Sequence, residues 1–108
     1  MLLARKSLQW GYKPILNALI RKYALKCFPS SNYQYSQAWN ALYRHVKYKY
    51  GWDVPKRNTA TNMIDRIKDN EFPYVIEVAA GLCEANNIDI GKTINGINAE
   101  TIKKYERN

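Results

Sequence analysis

Three side chains in this sequence of 108 residues carry the thiol or imidazole group that nucleophilic catalysis and metal binding use: Cys27, His45 and Cys83. A metal site needs such ligands clustered at short spacing, and a nucleophile needs a base beside it. The three residues fall on three different predicted helices. We therefore expect two buried thiols and a surface histidine, with no catalytic residue, no metal and no cofactor. A pairing of His45 with one of the cysteines in the fold is the alternative.

Gly91-Lys92-Thr93 has the same residues as the end of a phosphate-binding loop. The complete motif has a further glycine five residues before Gly91 and a hydrophobic strand ahead of it. Asn86 occupies that position, and a predicted helix precedes it. No pair of carboxylates stands out for acid–base chemistry either. The sequence therefore predicts a protein that is not an enzyme and has no small-molecule substrate.

The charge of the chain is unevenly distributed. Seventeen Lys and Arg residues oppose nine Asp and Glu residues, which gives a net charge of +8. Residues 1–57 hold eleven of the bases and a single acid, Asp53, for a net charge of +10, whereas residues 58–108 carry −2. An excess of this kind favours a polyanion, an acidic protein or an acidic neighbour in an oligomer as partner. A basic face that only aids solubility is the alternative.

Basic and aromatic residues alternate around the end of the second predicted helix and the connector that follows it. Lys and Arg neutralise phosphates, and exposed aromatic rings stack on bases or anchor a protein interface. Trp39 and Tyr43 lie on an apolar stripe and are expected to pack in the core. The candidate residues for binding a partner or nucleic acid are Arg44, Lys47, Tyr48, Lys49, Trp52, Lys56 and Arg57. Asp53 is the only acid nearby in the sequence. Replacing all four of Arg44, Lys47, Lys56 and Arg57 by neutral residues is therefore expected to leave folding nearly intact.

The elements that position these residues are predicted to be helices. Apolar residues recur at steps of three and four over 14–27, 35–50 and 73–86, the pattern of helices that share a core. Pro14 suits a first turn, and Gly51 is a natural C-terminal stop. Ser36 is a candidate N-cap, with Asn32 or Ser31 as alternatives for an earlier start. Gly81 lies inside a predicted helix, which indicates a close contact with another helix there. We expect an all-α fold, a compact bundle of four to five helices in a single domain over 1–108.

Other segments have weaker patterns. Residues 1–13 are expected to form an arm or a short helix. A third helix is predicted from Asn58 or Thr59, with Ala60, Met63, Ile64 and Ile67 as its apolar face. Residues 88–97 contain two turn signals, which favour a loop or a minor short hairpin around Gly91. A final short helix is expected after Asn98.

The sequence also bears on location. It contains no run of about 18 apolar residues, so we expect no membrane-spanning helix and no membrane partner. Two cysteines far apart in sequence are typical of a reducing compartment, and we expect a cytoplasmic protein. The acid-poor start, with Arg5, Lys6 and Ser7, is the one feature shared with organellar transit peptides.

Short motifs follow one another from Tyr35 to Ile67. They are Leu42-Tyr43-Arg44, Lys47, Lys49-Tyr50-Gly51, Val54-Pro55-Lys56, Ile64-Asp65 and Ile67. This stretch resembles the small C-terminal domain of phage antirepressor proteins, of the type that follows a KilA-N or Bro-N-like DNA-binding domain. The resemblance implies a phage or prophage regulatory protein in a bacterial cytoplasm, in which this domain contacts another protein or self-associates and has no enzymatic activity.

The resemblance leaves two questions open. About 13 residues precede the first strong helix, so the chain is either a stand-alone descendant of such a domain or a C-terminal fragment of a larger regulator. The charge excess points instead to a small basic DNA-binding protein. A third reading is a phage inhibitor that binds a host nucleic-acid enzyme.

Overall fold

The computed structural model describes residues 11–95 and is all-α over that range, as the sequence predicts. Two short 3-10 turns, Val54–Lys56 and Met63–Arg66, lie between the second and third helices. The four α-helices are α1 (Tyr12–Cys27), α2 (Gln34–Tyr50), α3 (Phe72–Ala85) and α4 (Ile90–Asn95). Over the described residues, every helix is too short or too polar to cross a bilayer.

Helix α1 begins two residues earlier than the predicted start at Pro14. Gly11 precedes it with a φ of 84°, a left-handed value that favours glycine. The helix ends where the Phe28 N–H donates to the Ala24 carbonyl over 2.9 Å. Its predicted stripe is buried, with Ile15, Leu16 and Leu19 fully inaccessible. The apolar spacing therefore located this helix to within one turn.

Helix α2 begins at Gln34, so the prediction that Ser36 is the N-cap is wrong. Tyr33 occupies the cap position without a side-chain hydrogen bond to the helix. The predicted stop at Gly51 is confirmed. This residue adopts a φ of 77°, and its N–H donates to the Lys47 carbonyl over 2.8 Å.

The predicted helix after Asn58 is wrong: only one 3-10 turn, Met63–Arg66, forms there. The Arg66 side chain binds two backbone carbonyls, one of them inside the predicted helix. Its Nε donates to the Ala60 carbonyl and its Nη1 to the Pro55 carbonyl, each over 2.7 Å. Of the predicted apolar face, only Ile67 is buried, while Met63 is exposed. An irregular segment held by one arginine therefore replaces the helix.

The helix predicted at 73–86 is α3. Of its predicted apolar stripe, Val75, Ala79 and Cys83 are buried, whereas Val78 and Leu82 are only half-buried. The close helix contact predicted at Gly81 is wrong, because a Cβ built there would meet no atom within 4 Å. The loop or short hairpin predicted around Gly91 is also wrong, because Ile90–Asn95 forms the helix α4. The Asp89 carboxylate accepts the Lys92 N–H over 2.9 Å and so starts a helical turn. The expected arm before residue 11 and the helix after Asn98 lie outside the described residues.

The core lies where α1 packs against the other three helices. The Tyr12 and Phe72 rings stack with centroids 5.5 Å apart, which joins the first turns of α1 and α3. Further along, the Cys83 thiol donates to the Leu19 carbonyl over 3.4 Å. Leu42 and Val46 of α2 are fully buried in the same core. This packing fixes the end of α2 relative to the start of α3, where the candidate surface lies.

Candidate interaction surface

The turn at Gly51 brings two of the aromatic residues around the end of α2 together. Because the chain reverses there, Trp52 lies back on Tyr50, with ring centroids 4.6 Å apart and ring planes inclined by 21°. Both side chains are half-buried. Stacking of this geometry stabilises an aromatic pair beyond the area it buries. The sequence predicted that Trp52 is part of a binding surface, and in the structure its ring is oriented by stacking on Tyr50.

Tyr74 in the first turn of α3 completes a three-ring group. Its ring meets Tyr50 edge-to-face at 5.7 Å and Trp52 at 6.0 Å. Tyr74 is 49% exposed, so it forms the outer part of the group. We call Tyr50, Trp52 and Tyr74 the aromatic cluster. Sequence reasoning missed Tyr74, and its only local signal is an aromatic residue off the buried stripe of α3.

Three exposed lysines lie at the end of α2 and in the connector that follows it, and we call Lys47, Lys49 and Lys56 the lysine rim. The Asp53 carboxylate lies between two of them, with its Oδ2 3.2 Å from Lys47 Nζ and 3.9 Å from Lys56 Nζ. The Lys49 ammonium lies over the Tyr50 ring, 5.5 Å from its centroid. Among the described residues, the Asp53 carboxylate therefore pairs with two of the three ammonium groups, and the rim keeps a positive excess.

Arg57 does not belong to this exposed surface, which corrects the expectation that its charge is free. Its guanidinium forms two parallel bonds to Glu71, with Nη1 2.6 Å from Oε1 and Nη2 2.9 Å from Oε2. The Glu71 side chain is only 7% exposed and also accepts the Lys68 N–H. The bond from Arg57 holds the pKa of the Glu71 carboxyl below its ordinary value. Arg57 therefore binds the connector to Glu71, directly before α3. Replacing Arg57 by a neutral residue is expected to destabilise the fold.

Arg44 and Tyr48 project from α2 in other directions than the aromatic cluster. Residues two apart on a helix point to nearly opposite sides, so Tyr48 faces away from Tyr50. Tyr48 is 94% exposed. Arg44 is exposed and, among the described residues, forms no ion pair. Of the seven predicted residues, Lys47 and Lys56 meet at Asp53, and Lys49 lies over Tyr50, the ring that stacks on Trp52.

The thiols and the histidine have ordinary positions. Cys83 is fully buried, and burial raises the pKa of its thiol to about 11, which keeps it protonated and unreactive at neutral pH. Cys27 is half-buried and His45 exposed. Within residues 11–95, no group of three or more His, Cys, Asp or Glu side chains is placed to hold a metal ion.

Comparison with known proteins adds no assignment. A scan against protein-family models, a search of curated proteins and a search of solved structures each found no match to this chain. The class that the fold and the surface define is therefore a small helical domain with a basic, aromatic patch at one helix end. Its function has to be inferred from the chemistry of that patch.

Proposed function

We propose that the protein is a regulatory module that works by binding another protein, or a second copy of itself, rather than by catalysis. The observation that carries this proposal is the aromatic cluster, three rings in mutual contact, partly exposed and rimmed by lysines. Tyr and Trp side chains that are partly buried before binding lose little conformational entropy when a partner covers them. They are accordingly enriched among the residues that dominate interface energies.

The resemblance to antirepressor C-terminal domains supports the same proposal. Leu42 and Tyr43, which carry part of it, are buried in the core. Lys49-Tyr50-Gly51 and Val54-Pro55-Lys56 form the helix end and the connector that build the surface. If the likeness holds, the module belongs to a phage or prophage regulator and acts in a bacterial cytoplasm.

The test compares the wild-type protein with Tyr74→Ser, and Tyr33→Ser serves as the matched control. Tyr33 is also exposed, but it lies in the turn before α2 and outside the aromatic cluster. Immobilised wild-type protein and both variants are incubated with bacterial lysate, and bound proteins are quantified by mass spectrometry. Light scattering on each purified protein reports its mass.

The proposal predicts a bound protein, or a dimer mass, that Tyr74→Ser loses and Tyr33→Ser retains. Loss of one well-packed interface aromatic typically costs 2 kcal/mol or more, which is about a 30-fold loss of affinity. A monomer in all three cases, with no bound protein that distinguishes the two variants, contradicts the proposal. Thermal unfolding of both variants shows whether each is folded.

DNA binding is the second candidate, and a separate observation favours it. Arg21, Lys22 and Lys26 lie exposed on the outer side of α1, with no ion pair to any described residue. Neutralisation of phosphates makes affinity fall steeply with salt, by roughly three to five decades between 50 and 200 mM for six to ten contacts. A salt titration with duplex and single-stranded DNA tests this candidate. Absence of binding at low salt removes it.

A further inference from the structure

We infer that the partner presents an acidic peptide segment, and that a carboxylate of this segment replaces Asp53 between Lys47 and Lys56 while an apolar side chain packs on Tyr74. This inference rests on the proposed function, since it specifies the partner of the same surface. Three observations support it: the position of Asp53, the packing of the ring faces, and the sign of the surface charge.

Asp53 marks the position that an incoming carboxylate would occupy. Its Oδ2 is shared by two ammonium groups, at 3.2 Å from Lys47 and 3.9 Å from Lys56. The second distance is long for a direct charged hydrogen bond. Lys56 is thus only loosely satisfied, and within residues 11–95 Lys49 has a ring rather than an acid as its neighbour. The lysine rim can therefore bind a carboxylate between Lys47 and Lys56, and its remaining positive charge can pair with a further negative group.

The packing of the rings favours a peptide over single-stranded nucleic acid. Bases bind by stacking on an accessible ring face. One face of Tyr50 lies against Trp52, and the Lys49 ammonium lies over the same ring. The Tyr74 ring is turned by 71° to Tyr50 and 82° to Trp52, so it stands nearly perpendicular to the stacked pair. The stacked pair therefore offers fewer free ring faces to a base than two separate rings would.

The charge of the surface also argues against a second copy docked symmetrically. In a two-fold dimer the same patch meets itself, so the lysine rim of one copy would face the rim of the other. Three ammonium groups and one carboxylate on each side would repel. An acidic segment of a different protein avoids this repulsion and neutralises the excess positive charge of the lysine rim.

The experiment follows the indole N–H signal of Trp52 in ¹⁵N-labelled full-length protein, assigned with the variant Trp52→Phe. Trp39 is an internal control because its ring stacks on Tyr43 instead, at 5.8 Å. The probes are a short peptide of Glu, Leu and Gly, the same peptide with Gln in place of Glu, and a short oligothymidylate. Each probe is titrated into the wild type, Asp53→Asn, Lys56→Gln and the control Lys22→Gln.

The inference predicts that the Glu peptide shifts the Trp52 signal and that the Gln peptide does so far more weakly. Asp53→Asn removes the internal competitor and is expected to tighten binding of the Glu peptide about two- to fivefold, because an exposed ion pair is worth up to about 1 kcal/mol. Lys56→Gln is expected to weaken it by a similar factor. Lys22→Gln, on the outer side of α1, is expected to leave the affinity within twofold for lack of a short-range contact.

Four results overturn the inference. A Trp52 shift with oligothymidylate alone assigns the surface to nucleic acid, and a concentration-dependent shift without any probe assigns it to a second copy. Equal binding of the Glu and Gln peptides shows that the lysine rim is irrelevant. No shift with any probe also overturns it, while the comparison of Tyr74→Ser with Tyr33→Ser still decides the proposed function independently.

Discussion

Replacement of Arg57 by methionine is predicted to destabilise the protein more than the loss of any lysine of the rim. The variant keeps the aliphatic bulk but leaves the Glu71 carboxylate, 7% exposed, without its two charged hydrogen bonds. Breaking a buried ion pair by removing one partner costs about 3–5 kcal/mol. Since the Arg57 side chain is 21% exposed, we expect the lower end, about 3 kcal/mol. For a domain of this size, that lowers Tm by roughly 12 °C.

The pH dependence of this loss has a definite sign. In the wild type the folded pKa of Glu71 is lowered, so the pair stabilises fully above the unfolded pKa of about 4.3 and is lost as pH falls through the folded value. In Arg57→Met the same carboxyl is buried without a cation, which raises its folded pKa above the unfolded one. Through Glu71, acidification below about pH 4 therefore removes stability from the wild type but not from the variant, while other carboxylates such as Asp65 act equally in both. The difference between the two proteins should shrink there.

Urea unfolding followed by circular dichroism at pH 7 and pH 3.5 measures both effects. Lys56→Met is the matched control, because Lys56 is exposed and 3.9 Å from its acid, and its loss is expected to cost under about 1 kcal/mol. The double variant Arg57→Met with Glu71→Gln removes the unpaired charge, so it should be more stable than Arg57→Met alone. Equal, small losses in Arg57→Met and Lys56→Met, or a difference that does not change with pH, would refute this account of the pair.

Three further predictions concern the core, the glycines and the thiols. Leu42→Ala, at a fully buried position, should lose 2–5 kcal/mol by chemical denaturation. Gly51→Ala should cost about 1–2 kcal/mol because its φ is 77°, whereas Gly81→Ala, in open space inside α3, should gain about 0.5–1 kcal/mol; equal effects would contradict this assignment. With a thiol reagent at neutral pH, the half-buried Cys27 should react first and Cys83 only on unfolding, while simultaneous reaction would contradict its burial.

The three core helices were predictable because their signal is local. Apolar side chains three and four residues apart fix both the helix and its buried side, as in α1 and α2. The segment after Asn58 has a similar spacing, but the bonds from Arg66 to the Ala60 and Pro55 carbonyls decide its conformation. These are side-chain-to-backbone bonds that compete with a helix, and periodicity does not reveal them.

The candidate surface was predictable only in the part that is continuous in sequence. Lys47, Lys49, Trp52 and Lys56 lie within ten residues of one another, so the sequence alone marks them as one segment. Tyr74 and Glu71 approach from α3, and only the packing of α3 against α1 and α2 places them there. The sequence therefore showed where the charges are, but not which of them Glu71 neutralises.

The position of α1 at the centre of the fold determines when during synthesis the protein can become stable. α1 and α2 leave the ribosome first, yet part of the buried side of α1 is covered by α3, down to the bond from Cys83 to Leu19, 64 residues earlier in the chain. A nascent chain that ends before Phe72 therefore exposes apolar surface together with the most basic part of the sequence. Until α3 has been translated, the emerging chain resembles a cationic amphipathic hairpin, the form most prone to adhere to ribosomal RNA and to other nascent chains. Only the docking of α3 and then α4 onto α1 ends that exposure.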